Sequence, residues 1–417
     1  MKQSDAMRLL YFVGAGPAAM SRVDIAHLFG ERLGRSGLCI EYYLRTPVQG
    51  GALMRIPFHD QPAWQCGRSG IAGMPGRVLD KVKEFVATLH FAANALRARH
   101  DLIQVRDDFL AGALGLLAAR LRRRPFVFWL SYPFPEARLL DAREGRARWP
   151  LYARVTGQLA GWSLYRLLLP HADHVFVQSE QMKQDLLRPG VNPARLTPVP
   201  MGLPDLDLPP SAPRALEPIV LYLGTLARVR RLSMIIDAFA QVHAAMPAAR
   251  LVIVGDGDVP EDRAELELAV EGHGLRGAVT FTGQLPRKEA LAWVQRASVC
   301  LSPFYPTFVL RSTSPTKLVE YLANGKAVVA NDHPEQADVI RASGGGLCTG
   351  WEAAAFARST LTLLRDARLR DSMGAAGRAW VVTHRLYSHI ASMVLATYSG
   401  LLQAHLPQVQ KAPTRRP

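Results

Sequence analysis

Three short stretches of the chain combine residue types that could do chemistry on an anionic substrate. The first reads Leu221-Tyr222-Leu223-Gly224-Thr225-Leu226 and is followed by Arg228, Arg230 and Arg231. An apolar strand ending in glycine, with guanidinium groups ahead of the next helix, makes a phosphate site, because unbonded backbone N–H groups and the helix dipole add to the side-chain charge. The same residues would also suit a solvated basic turn. The second stretch runs from Ser312 to Lys326. There Ser314 or Thr313 can cap a helix, Pro315 suits its first turn and Gly325 can end it. Lys317 and Glu320 then share a helix face, so that one can reach phosphate while the other accepts hydrogen bonds from sugar hydroxyls. The pair is equally readable as an i,i+3 salt bridge. The third stretch, Val252 to Asp258, is a strand ending at Gly255. Its Asp256 and Asp258 suit a turn better than a magnesium cage, which two carboxylates alone hold poorly.

Elsewhere the signals are weaker. Gly14-Ala15-Gly16-Pro17 follows an apolar strand, but no third glycine completes a dinucleotide fingerprint and Pro17 disturbs the turn, so it reads as a loop of close backbone approach. Asp107 and Asp108 form an acidic pair at another strand end. None of the 12 histidines lies in an H-E-x-x-H stretch or beside G-x-S-x-G, which sets aside zinc hydrolases and elbow serine hydrolases. Cys39, Cys66, Cys300 and Cys348 stand singly, with no zinc-ligand spacing, and fit a reducing cytosol.

The elements that must carry these residues alternate short β-branched or aromatic runs with longer helical patterns, the pattern of a parallel sheet covered by helices. In the first half, 9–13, 38–44, 102–105, 126–130 and 174–177 read as strands, with helices over 18–34, 76–99 and 110–121. Prolines at 204, 209, 210 and 213 interrupt this texture and predict a linker over 204–218. The alternation then restarts. Strands are expected at 219–223, 250–254, 279–282, 299–301 and 327–330, and helices at 232–245, 261–273, 288–295 and 317–324. The expected fold class is therefore α/β, with two doubly wound units and a ligand site at the carboxyl ends of their strands.

The 417 residues suffice for two domains, and 49% hydrophobic with 20% charged residues is a globular composition. The formal net charge of +15 favours an anionic partner: nucleic acid, acidic lipid or a phosphorylated substrate. No run approaches the roughly 20 apolar residues of a spanning helix, and no signal peptide is expected. Between positions 129 and 166, Trp129, Trp149, Tyr152, Trp162 and Tyr165 interleave with Arg143, Arg148 and Arg154. This texture suits an anionic bilayer surface, or alternatively a core face with a solvated opposite side.

In the second half the strings 219–226 with Arg230, 251–257, 281–286 with Ala290, Ser302-Pro303 and 315–329 occur in an order that resembles the GT-B glycosyltransferases of family 4, the retaining group 1 enzymes. Near the end, Met373-Gly374, Gly377-Arg378 and Trp380, then His384 to Tyr387, are similar to that family's closing helix. The resemblance implies a GT-B fold, two Rossmann-like doubly wound domains facing across a cleft. It implies an N-terminal acceptor domain over 1–203, a nucleotide-sugar domain over 219–385, a helix over 386–405 returning to the first domain, and a disordered tail over 406–417.

By the same resemblance, Arg230 matches a position usually held by lysine in the pair that neutralises the donor diphosphate, with Lys317 the second cation. Glu320 matches the second glutamate of the family's pair, and Ser312 stands where the first would be. Catalysis is thus assigned to Arg230, Lys317 and Glu320. Donor binding falls to Gly224, Thr225, Gly255, Gln284, Leu285, Ser312, Ser314, Pro315 and Thr316, and the acceptor side to Gly14, Gly16, Ser131 and Asp108. Ser131 takes the place of the histidine found in some relatives, which leaves no covalent nucleophile and implies front-face displacement with retention, driven by preorganised positive charge. No metal or other cofactor is expected. The implied partners are a nucleotide-sugar donor, a glycan or polyprenyl-diphosphate-linked acceptor and an anionic membrane surface. The implied setting is surface polysaccharide assembly in the cytoplasm, peripheral to the inner face of the plasma membrane. Three alternatives stand beside it: a noncatalytic nucleotide-sugar-binding protein, a GT-B epimerase or phosphorylase, and a nucleic-acid-binding protein suggested by Arg120 and Arg122 to Arg124.

Overall fold

The structure, a computed structural model, describes residues 7–14, 22–97, 99–188, 190–205, 217–257 and 259–405. It divides into two compact units. The first comprises Met1–Val177, Leu186–Thr197 and Ile390–Pro417, and the second Gln178–Asp185 and Pro198–His389. The linker expected over 204–218 lies largely outside the described residues, as do Gly16, Asp258 and the tail.

The first unit is built on an eight-stranded sheet. Its strands are β1 (Arg8–Val13), β2 (Cys39–Gln49), β3 (Met54–Phe58), β4 (Gln61–Arg68), β5 (Leu102–Arg106), β6 (Phe126–Leu130), β7 (His174–Val177) and β8 (Leu196–Pro198), in the order β3-β4-β2-β1-β5-β6-β7-β8. β3 runs antiparallel to β4, whereas β4, β2, β1, β5, β6 and β7 pair in parallel. Every residue of β5, β6 and β7 is buried, as in a parallel sheet covered on both faces. The hairpin of β3 and β4 escapes the sequence pattern because its residues alternate irregularly and include Pro57 and Pro62.

Helix Phe109–Arg122 lies against β5 and β6 through small residues. A Cβ on Gly115 would come within 3.3 Å of Phe126, Val105 and Phe91, and one on Gly112 within 3.2 Å of Leu168 and Phe128. Phe91 belongs to helix Gly73–Ala95 and Leu168 to the segment Ser163–Leu168, which continues helix Pro150–Trp162. These three helical stretches therefore lie side by side on one face of the sheet. Trp129 is 1% exposed and belongs to the core, whereas Trp149, Tyr152 and Trp162 are on the surface. Helix Tyr387–His405 joins this unit from Ile390 onward, and its buried Tyr398 donates a hydrogen bond to Gln104 of β5 at 2.5 Å.

The second unit carries β9 (Ile219–Leu223), β10 (Arg250–Val254), β11 (Val279–Gly283), β12 (Val299–Ser302), β13 (Val328–Asn331) and β14 (Gly346–Thr349) in the order β11-β10-β9-β12-β13-β14. The pairs from β11 to β14 are all parallel. Chain order reverses between β9 and β12, the switch point at which such sheets bind ligands. Residues 178–185 belong with this unit because Ser179 Oγ donates to the Ser312 carbonyl at 2.8 Å and Asp185 accepts from Ser312 Oγ at 2.7 Å and Arg311 at 2.5 Å.

Burial pushes the imidazole of His174 in β7, hydrogen-bonded to Thr197 at 3.0 Å, down from 6.5 to about 4. Between those values the unfolded chain binds a proton that the folded chain does not. The contribution is complete above pH 6.5 and is lost as pH falls toward 4. The urea midpoint is expected to drop between pH 7.5 and 4.5, and to drop less in His174→Gln; equal drops in both chains would contradict this.

Candidate donor site in the second unit and buried ring in the first

The donor-side residues gather at the carboxyl ends of three adjacent strands. The Gly224 amide donates to Val254, the Gly255 amide to Gly283 and the Leu226 amide to Asp256, each at 3.0 Å. A Cβ on Gly255 would lie 2.0 Å from the Gly224 carbonyl oxygen, and its φ of +132° suits glycine alone. Gly283 has a φ of +70°. The backbones of β9, β10 and β11 thus end in a row of glycines open to close approach.

Arg230 follows β9 in a short 3-10 turn. Its Nε donates to Thr225 Oγ1 at 3.0 Å, and its guanidinium lies 5.5 Å from the Phe304 ring centroid. Arg231 stacks at 4.1 Å on Tyr305. Phe304 is clamped after β12 by Asn331, which accepts from its amide at 2.7 Å and donates to its carbonyl at 2.9 Å. Thr225 therefore orients Arg230.

Helix Thr316–Ala323 begins at Pro315 without a side-chain cap. The expected capping by Ser314 or Thr313 does not occur. Ser314 Oγ is engaged by the Glu335 carboxylate at 2.8 Å and the Met201 amide at 2.9 Å, and Thr313 Oγ1 turns to Leu310. Ser312 is likewise spent on Asp185. Both serines secure the segment ahead of the helix. Pro315 and Thr316 open the helix itself, Gln284 is exposed beside the Gly283 turn, and Leu285 is half-buried.

Glu320 is almost fully buried. One carboxylate oxygen accepts from Lys317 Nζ at 2.8 Å and the other from Arg287 at 2.7 Å. Lys317 and Arg287 both remain partly exposed. The carboxylate thus fixes two cations near the helix start, so the i,i+3 salt bridge exists and leaves both cations partly exposed. Sequence reasoning missed Arg287, which lies 33 positions before Glu320 and has no local signal. It also missed Tyr321, whose buried hydroxyl accepts from the Leu223 amide at 2.7 Å and docks this helix on the end of β9.

In the first unit, Gly14 approaches β5 so closely that a Cβ there would lie 2.4 Å from the Asp108 Cβ. Asp108 caps helix Phe109–Arg122, accepting from the Ala111 amide at 2.9 Å, and pairs with Arg45 at 2.9 Å. Arg45 also donates to the Gly14 carbonyl at 2.8 Å. The acidic pair is therefore divided, and Asp107 joins a buried ring. Asp107 accepts from Ser131 Oγ at 2.5 Å and the Ser131 amide at 2.7 Å, and pairs with Arg106 at 3.2 Å. Arg106 reaches Asp24 at 2.6 Å, and Arg22, 3.7 Å from Asp24, donates to Ser131 Oγ at 3.1 Å. Burial alone would lower the Arg106 pKa, but Asp24 and Asp107 outweigh it and hold the guanidinium above its ordinary value. Among the described residues, no group of three or more His, Cys, Asp and Glu is placed to hold a metal ion.

Comparison with known proteins puts this geometry in a class. The model "Glycosyl transferases group 1" matches residues 217–366 and the model "Glycosyl transferase 4-like domain" residues 38–202. Among solved structures, Anabaena HepE in complex with UDP and glucose is 17% identical, with a TM-score of 0.67 over 94% of this chain and 99% of that one. Sucrose-phosphate synthase from Thermosynechococcus elongatus is 20% identical, with a TM-score of 0.67 over 95% and 100%. The fold is that of the GT-B glycosyltransferases. The chain belongs to the group 1 and 4-like glycosyltransferases and is a nucleotide-sugar-utilising enzyme. Curated relatives include the phosphatidyl-myo-inositol mannosyltransferase of Mycobacterium leprae, 28% identical over 75% of this chain and 79% of that protein. The 2-deoxystreptamine glucosyltransferase of Streptomyces kanamyceticus is 26% identical over 52% and 54%.

The row of glycines is testable by volume. Gly255→Ala is expected to lower the melting temperature by several degrees and to weaken nucleotide binding at least about tenfold, because backbone must shift. Gly272→Ala, whose Cβ would meet nothing within 4 Å, should leave binding unchanged.

Proposed function

We propose that this enzyme transfers a hexose, with retention at the anomeric carbon, from a nucleoside diphosphate sugar to a glycan or polyprenyl-diphosphate-linked acceptor in surface polysaccharide assembly. The work takes place in the cytoplasm at the anionic inner face of the plasma membrane. The observation that carries the donor half is the placement of Arg230 after β9, with Lys317 and Arg287 held by buried Glu320 on a helix that Tyr321 docks to the same strand end. Fixed cations of this kind stabilise charge as it develops on a departing diphosphate. The Mycobacterium leprae relative is named for phosphatidyl-myo-inositol and the Anabaena structure is a complex with UDP, which supports a lipid-linked acceptor and a nucleotide donor.

In this mechanism the bond between the anomeric carbon and the diphosphate oxygen breaks with its electron pair going to the diphosphate, whose negative charge falls to Arg230 and Lys317. The acceptor hydroxyl forms the new bond on the same face and passes its proton to the departing diphosphate oxygen. Arg287 joins the pair read from the sequence. The Gly224 and Gly255 amides are bonded to Val254 and Gly283, so what these glycines offer the donor is the absence of side chains at the strand ends. Gly14, Ser131 and Asp108 are the acceptor side of the reading, with Asp108 supporting the Gly14 turn through Arg45 and Ser131 presenting Arg22.

Thermal stability in the presence of UDP, GDP, ADP and inorganic phosphate tests the donor half. At a hundredfold excess over Kd a binding nucleotide adds about 2.7 kcal/mol. One nucleoside diphosphate should stabilise the wild type and lose its effect in Arg230→Ala, Lys317→Ala and Glu320→Gln. Stabilisation by inorganic phosphate alone would favour a phosphorylase instead. The anomeric configuration of the product, read by NMR, should match that of the donor, and inversion would overturn the mechanism.

A further inference from the structure

Three neighbouring helices of the first unit are built the wrong way round for a water-facing layer. Helix Gly73–Ala95 turns Gly76, Ala87, Thr88 and Ala95 inward with Phe91, and turns Val78, Val82, Phe85 and Leu89 outward; Val78 is 57% exposed. Helix Phe109–Arg122 buries Ala111, Gly112, Gly115 and Ala118 and exposes Leu110, Leu117 and Leu121, the last at 66%. Helix Pro150–Trp162 buries Gly157 and Ala160 and exposes Leu151, Val155, Leu159 and Trp162, with Leu151 at 75%. In each helix the large apolar side chains recur at spacings of three and four residues, or of seven, on the outer side, while small residues face inward, in helix Phe109–Arg122 toward the sheet and in helix Pro150–Trp162 toward Pro135 and Leu139 of helix Phe134–Arg143. An apolar surface of this extent on a folded chain marks an interaction site.

The charge around this surface selects the partner. Helices Phe109–Arg122 and Pro150–Trp162 contain no acidic residue. Exposed Arg77, Lys81, Arg122, Arg123, Arg148 and Arg154 stand among or beside the apolar positions. A second copy of the chain would set arginine against arginine across the contact. An anionic bilayer accepts both components, taking the apolar side chains below its headgroups and the cations among its phosphates. Trp149, Tyr152 and Trp162 are the amphipathic rings that favour that boundary. Among the described residues no helix is long and apolar enough to cross a membrane, so the helices would lie in the plane of the interface.

We infer that the outer surface formed by helices Gly73–Ala95, Phe109–Arg122 and Pro150–Trp162 is a docking face for an anionic lipid bilayer, with helix Gly73–Ala95 as a principal inserting element. This deepens the lipid-linked acceptor reading and rests on it for its purpose. It also extends the surface to two helices outside the arginine and tryptophan segment.

Sedimentation with vesicles of phosphatidylcholine alone and of phosphatidylcholine with phosphatidylglycerol tests it on the full chain, with tryptophan emission as a second readout. Binding is expected to the mixed vesicles, with a blue shift from Trp149 and Trp162. Val82→Glu with Phe85→Glu, and separately Leu117→Glu, should each weaken partitioning about tenfold or more. These positions are exposed, so circular dichroism and the nucleotide-induced thermal shift should stay at wild-type values. No binding to either vesicle would overturn the docking face while leaving the donor site standing. Binding that 0.5 M salt abolishes and the glutamate substitutions leave unchanged would reduce it to surface adsorption and overturn insertion. Concentration-dependent dimerisation lost in the same variants would assign the face to a second copy instead.

Discussion

Gly255 lies so close to the Gly224 carbonyl that no side-chain carbon fits between them, and much of the second unit's site follows from that approach. It lets β9, β10 and β11 finish level, with backbone amides bonded from strand end to strand end. Arg230 can then fold back onto Thr225 and Phe304 rather than extend into solvent. The helix bearing Glu320 is tied to the same place by Tyr321, so both cationic elements are referenced to one strand end, Leu223 to Thr225. The placement of the cations in this unit depends on backbone precision as much as on charge.

Buried carboxylates play the same part in both units. Glu320 spends both oxygens on Lys317 and Arg287, and Asp107 spends its own on Ser131 and Arg106. Neither faces solvent as an unoccupied acid. Glu320 fixes two partly exposed cations from beneath, Asp107 holds the buried Arg106 and Ser131, and in both clusters desolvation is offset because every charge has an opposite neighbour. Pre-set positions of this kind are what an electrostatic mechanism needs, since cations that must reorganise during reaction contribute less.

How far the sequence was legible follows from the range of the interactions. The strands at 9–13, 126–130, 219–223 and 250–254 carry unbroken apolar runs, and the structure places them there to within a residue. Glycines 14, 224 and 255 announced themselves by following those runs. By contrast, Arg287 meets Glu320 across 33 residues and Asp185 meets Ser312 across 127, distances over which no periodicity operates. The partners of the Ser312 and Ser314 hydroxyls, Asp185 and Glu335, lie 127 and 21 residues away and left no local signal. Trp129 was grouped with the surface aromatics because composition does not distinguish the inside of a parallel strand from an interfacial belt.

The hydrogen bond from Tyr398 to Gln104 joins residues 294 positions apart. Residues up to Val177 supply most of the first unit, yet its packing is completed only by the helix that re-enters it at Ile390. A ribosome adding about 5–20 residues per second needs roughly 10–40 s to cover the interval between them. Through that time the nascent first unit lacks the Tyr398 contact to β5, while the residues of the second unit are being added and are complete at His389. Synthesis order therefore makes the later unit the earlier one to be supplied in full, and leaves the first unit incomplete until the final helix emerges.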